Sequence, residues 1–88
     1  MLSQEERLKK VKQALGIGGS FQDGALQIYI NEAIDFLVDS GVYRAVAESE
    51  AAIGAIVLYV NDIYNYASGD VKLSDAFQKR LIQLSSKR

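Results

Sequence analysis

The carboxylates Glu32, Asp35 and Asp39 recur at i, i+3 and i+7, a spacing that places all three on one face of a helix. Such a trio can ligate a hard cation or share acid and base work. It can equally be a solvated helix face, since no neighbour in sequence would bury the three groups or perturb their titration. A second motif is Leu15-Gly16-Ile17-Gly18-Gly19-Ser20. Glycines let backbone amides approach an anion, and a serine opening a helix adds a positive N-terminus. A phosphate-binding loop, however, needs lysine before the Ser/Thr and a strand before the glycines. Gly19 stands in the lysine position and helix-forming sequence precedes the loop, so an interhelical stop is the better reading. Five tyrosines, at positions 29, 43, 59, 64 and 66, could stack on bases, but stacking platforms sit in basic grooves. Helical spacing assigns Tyr29, Tyr59 and Tyr64 to the core with their hydroxyls wet.

The rest of the catalytic repertoire is thin. The chain has no histidine and no cysteine, which removes the commonest general base, the thiolate nucleophile and the two commonest transition-metal ligands. No catalytic, cofactor or metal site is read from it. Half of the residues are apolar (49%) and the formal net charge is -1, values that suit a folded domain without the basic surface that grips nucleic acid or anionic lipid. The longest apolar run, residues 55–60, is far below the roughly 20 residues that cross a bilayer. The Met-Leu-Ser-Gln-Glu-Glu start is acidic and polar, unlike a secretion signal. No membrane partner is expected, and the lack of cysteine fits synthesis in a reducing compartment.

These residues need elements to position them, and caps with periodicity predict four helices in one domain, residues 1–88. Ser3-Gln4-Glu5-Glu6 is a capping box, in which Ser3 and Glu6 satisfy one another's amides. Leu8, Val11 and Leu15 then form an apolar stripe, opposed by the i, i+4 pairs Glu5–Lys9 and Glu6–Lys10, until Gly16, Gly18 and Gly19 end the helix. Ser20 and Asp23 predict a second helix over about residues 21–40, with Gly41 as its left-handed stop. Leu26, Tyr29, Ile30, Ala33, Ile34, Phe36 and Leu37 share its apolar face, and Ile28 alone falls among the polar residues.

Residues 41–48 read as a connection, and Ser49 as the cap of a third helix reaching about residue 66. That helix is the most apolar, which makes it the central one. Ala51, Gly54, Ala55 and Leu58 form a small-residue strip on its less buried side, open either to a helix of the same chain or to a neighbour. Ser68-Gly69-Asp70 predicts a turn, and Ser74 caps a fourth helix with the stripe Phe77, Leu81 and Leu84. The basic end of that helix complements its dipole. The expected fold is all-α, a compact bundle of about four helices with a long central pair. Within the connection, Val42, Tyr43, Arg44 and Val46 combine apolar, aromatic and arginine side chains, either as a contact surface or as packing over the helix ends. Single exposed residues such as Ile28 and Ile82 carry meaning only if the fold makes them contiguous with others.

The order of Leu8-Lys9-Lys10-Val11-Lys12-Gln13-Ala14-Leu15-Gly16-Ile17, Asp23 with Leu26, Tyr29-Ile30 and Ala33, Ala55-Ile56-Val57-Leu58-Tyr59-Val60 with Tyr64, and Phe77 with Leu81 resembles the phage head-tail connector (adaptor) family. The resemblance spans most of the chain and rests on core and turn positions. It implies a structural virion protein of a tailed phage or prophage, made in the bacterial cytoplasm and placed at the head-tail junction. Copies would stand side by side in a homo-oligomeric ring between the portal protein and a head-completion or tail protein, with the genome passing through unread. A ring needs heterologous contacts, one surface against a different one. The candidates are Ile28 with the acidic residues Glu32, Asp35 and Asp39 on one side, and Val42, Tyr43, Arg44 and Leu58 on the other. The competing reading is a small helical regulatory or protein-binding module. A DNA-reading version would need exposed Arg, Lys, Asn or Gln at the start of a recognition helix, where the third helix offers Glu50 and mostly alanines.

Overall fold

The capping box at Ser3 forms as the sequence requires: the Glu6 amide donates to the Ser3 hydroxyl and the Ser3 amide to the Glu6 carboxylate, each at 3.1 Å. In the computed structural model, which describes residues 2–65 and 74–87, this box opens α1 (Gln4–Leu15). α2 covers Asp23–Asp39, α3 Arg44–Ala47, α4 Ile53–Asn65 and α5 Asp75–Ser85. A 3₁₀ turn, Glu50–Ala52, leads into α4. Among the described residues there is no strand, and the all-α class follows. The predicted turn at Ser68-Gly69-Asp70, the helix end at Tyr66 and the Tyr64 side chain lie outside the described residues.

Two glycine stops share one geometry. At Gly16, with φ +72°, the Gly16 amide donates to Gln13 and the Ile17 amide to Lys12, at 3.2 and 2.9 Å. At Gly41, with φ +107°, the Gly41 amide donates to Val38 and the Val42 amide to Leu37, at 3.1 and 3.0 Å. This paired pattern satisfies the orphan carbonyls of a helix end and folds the residue after the glycine back onto the helix. Val42 is accordingly 2% exposed and joins Leu37 in the core.

Three sequence expectations change. α2 begins at Asp23, not at residue 21; Gln22 precedes it without a side-chain cap, and Phe21 is left 98% exposed in the loop. The connection over residues 41–48 contains α3, a single turn that starts after extended Tyr43. Ser49 does not cap the helix that follows, because its hydroxyl donates back to the Val46 carbonyl at 2.6 Å. By contrast, Ser74 caps α5 by accepting from the Phe77 amide at 3.2 Å, and its own amide donates to the Asp62 carboxylate of α4 at 3.0 Å.

α4 is the central element, packing against α1, α2 and α5. Its circumference is apolar enough to meet three neighbours, with Ala55, Ile56, Tyr59 and Val60 buried. α2 contributes Leu26, Ile30, Ala33, Ile34 and Leu37, α1 contributes Val11, and α5 contributes Phe77 and Leu84. The small-residue strip on α4 is filled from within the chain. A Cβ added at Gly54 would fall 2.6 Å from the Arg80 guanidinium of α5, and Ala55 is 1% exposed. At Gly54 the strip lets the last helix approach, while Ala51, in the 3₁₀ turn, stays exposed.

Candidate functional site

The outer face of α2 holds Ile28, Glu32, Asp35 and Asp39, all exposed. It lies opposite Ile30, Ala33 and Leu37, as the 100° step between residues dictates. Among the described residues no three His, Cys, Asp or Glu side chains converge as a cation site. Asp35 instead faces Arg44: an Arg44 Nη lies 3.4 Å from Asp35 Oδ1, while the other Nη lies 3.4 Å from Glu48 Oε2. Pairs this long and exposed contribute little to stability. They do join two sets of residues assigned to opposite sides from sequence. Asp35, Arg44 and Glu48 form one surface, continuous with Tyr43, which is half exposed at the start of α3.

One residue leaves the candidate surface and a second is partly covered. Val42 is core, turned inward by the Gly41 stop described above, so its side chain meets no neighbour. Leu58 is half-buried and packed against the core. Tyr59 is 9% exposed and Tyr29 half-buried, in line with their helical spacing.

Beside this surface lies an open cleft of about 460 Å³ bordered by Leu2, Asn31, Asp35, Arg44, Glu48 and, at its floor, Arg7. Arg7 is 6% exposed. Its Nη2 donates to the carbonyls of Glu48 at 2.9 Å and Leu2 at 3.3 Å, and its buried Nε has no hydrogen-bond partner. Arg7 precedes buried Val11 by one turn and so lies on the core-facing side of α1, unlike Lys9, Lys10 and Lys12. The Glu48 carbonyl at the end of α3 then receives its guanidinium.

A second depression of about 290 Å³ lies between α2 and α5, lined by Phe36, Phe77, Leu81 and Ile82. Phe36, Tyr59 and Phe77 form an aromatic triangle with every centroid pair 5.7 Å apart and tilted or edge-on, the geometry that ring quadrupoles favour. Phe36 was read from sequence as a core residue, yet it is 37% exposed. It stands at the edge of the core, and with Ile82, 69% exposed, it gives the groove an apolar wall in solvent.

The charged groups set a simple pH response. The Glu6 carboxyl is held below its usual 4.5 by hydrogen bonds from the Ser3 amide and then the Ser3 hydroxyl. Glu50 is held down, and Lys10 up, by their mutual ion pair at 2.8 Å. Burial, followed by the charge of Glu32, pushes the Tyr59 phenol above 10.0. Depressed carboxyls stabilise the fold above their unfolded pKa and lose that contribution as pH falls through the folded value. Raised Lys10 and Tyr59 contribute below their unfolded pKa and lose it as pH rises through the folded value. With no histidine to titrate between, the melting temperature should be flat from about pH 5.5 to about pH 9 and fall on both flanks. A sigmoidal change in melting temperature inside that window, followed by circular dichroism, would contradict this assignment.

Among the described residues no helix is long and apolar enough to cross a membrane. Against known families, a model described as phage gp6-like head-tail connector protein matches residues 5–88. Nothing among the curated proteins or the solved structures matches.

Proposed function

Because the chain belongs to the phage gp6-like head-tail connector family, whose role is structural, we propose that it forms a homo-oligomeric ring at the head-tail junction of a tailed phage or prophage. The ring sits between the portal and a head-completion or tail protein, and the genome passes through it. The observation that carries this reading is the extent of the family match, which takes in α1 through α5. The surface supports it. Phe21, Ile28, Tyr43 and Ile82 are all more than half exposed, a large apolar surplus for a domain this small, and unpartnered apolar side chains mark contact surfaces when they gather on faces.

Ile28, Tyr43 and Arg44, together with Glu32, Asp35 and Asp39, are the residues we assign to neighbouring subunits or to the portal and tail partners. Any of these carboxylates turned towards the channel would repel the phosphate backbone, which lets DNA pass without adhering. The test is native mass measurement of the purified chain, alone and mixed with the portal protein of the same phage. A closed oligomer that joins the portal is the expected result. A chain that stays monomeric and never enters portal complexes would refute the ring.

A further inference from the structure

Among the described residues Phe21 is the most exposed large apolar side chain, at 98%, yet its loop is well anchored. Lys12 pairs with the Asp23 carboxylate at 2.7 Å and donates to the Gly19 carbonyl. Gly16 and Gly19 hold left-handed conformations at φ +72° and +74°, and the Asp23 amide donates to Ser20 at 3.2 Å. Phe21 is thus presented as a knob on a short, braced loop. The groove of Phe36, Phe77, Leu81 and Ile82 is an open hole of about 290 Å³ already floored by aromatic rings. Knob and hole cannot meet within one chain. α2 rises about 1.5 Å per residue, so Phe36 lies roughly 20 Å along the helix axis from Asp23, where the loop ends.

We propose that Phe21 of one copy seats in the Phe36–Ile82 groove of the next copy, an inference that rests on the ring proposed above. The contact is heterologous by construction: each copy gives a knob from the start of α2 and receives one near its end, which is the repeat a closed ring requires. A fourth ring in the groove extends the aromatic cluster and removes the largest exposed apolar groups of both surfaces from water. The α2 side of the groove is acidic, with exposed Glu32 and Asp39 one turn to either side of Phe36, and α5 adds Lys79 one turn before Ile82. Beside the knob, Lys9 and Lys12 line one surface with Glu5 and Asp23, so Lys9, which is exposed, is the cation placed to meet the α2 carboxylates of the next copy.

The chain has no native cysteine, so Ser20→Cys, next to the knob, and Gln78→Cys, at the polar edge of the groove, can be made singly and mixed in equal amounts, leaving Phe21, Phe36, Phe77, Leu81 and Ile82 intact. On assembled protein, alone or on the portal, a short bis-maleimide should give a covalent dimer in the mixture only, and a ladder from the double variant. In parallel, Phe21→Ser should leave the melting temperature of the monomer unchanged while raising the assembly midpoint concentration at least ~10-fold. Oligomers that form without this cross-link, or a Phe21→Ser chain that assembles like the parent, would overturn the Phe21 contact and leave the ring standing. Absence of any oligomer, with or without the portal, would overturn the ring and this contact together.

Discussion

Phe77→Ala is expected to destabilise the protein by about 3–5 kcal/mol, the range for removing a fully buried aromatic ring from a core. Phe77 is 0% exposed and is the α5 member of the triangle with Phe36 and Tyr59. Its loss removes the apolar transfer energy of the ring, two aromatic edges and the main anchor of α5, which packs chiefly against α4. A small domain holds roughly 5–15 kcal/mol in total, so the variant sits near its unfolding threshold. Urea titration followed at 222 nm measures the loss, and amide exchange should rise first in α5, because that helix undocks as a local unit. Phe77→Leu keeps most of the volume and should lose less than half as much. A loss below about 1 kcal/mol for the alanine variant, outside the range for a large buried ring, would mean that α5 is held by other contacts.

Arg7→Ala is expected to destabilise the protein by about 2–3 kcal/mol, within the range for losing a buried hydrogen bond to a charged group. The guanidinium ties the start of α1, through Leu2, to the end of α3, through Glu48. A hydrogen bond to a charged group contributes roughly 1.5–3 kcal/mol net where its geometry is good, and the buried stem adds packing. Desolvation of the cation and of the unpartnered Nε works in the opposite direction. Arg7→Met separates the two contributions, since it keeps the stem and drops the donors. If the methionine variant unfolds at the same urea concentration as the parent, the buried cation costs as much as it stabilises. A midpoint between parent and alanine would show the hydrogen bonds to be net favourable.

The helices were legible because their signals are local. Ser3 and Ser74 cap, Gly16 and Gly41 stop, and the stripes Val11, Leu26–Ile30–Ala33–Leu37 and Phe77–Leu84 bury as their spacing requires. Each depends on residues within one or two turns, where backbone hydrogen bonding and the helical step leave few alternatives. α3 was missed because a single turn has no periodicity to show, and the start of α2 shifted because Ser20 forms a turn instead of a cap.

The candidate surface was legible only in part, because exposure is a property of how helices meet. Sequence alone determined the helical class, the exposed acidic face of α2 and the absence of histidine and cysteine chemistry. The tertiary structure decided that Val42 turns inward at Gly41, that Asp35 and Arg44 belong to one surface, and that Gly54 receives Arg80. It also decided that Arg7 is buried, that Phe36 stands at the rim of the core, and that Phe21 and the Phe36–Ile82 groove lie at opposite ends of α2. The physical reason is that a side chain's periodicity fixes its direction on its own helix, whereas its burial depends on which other helix arrives there, and that contact is set by the packing of residues far apart in the chain.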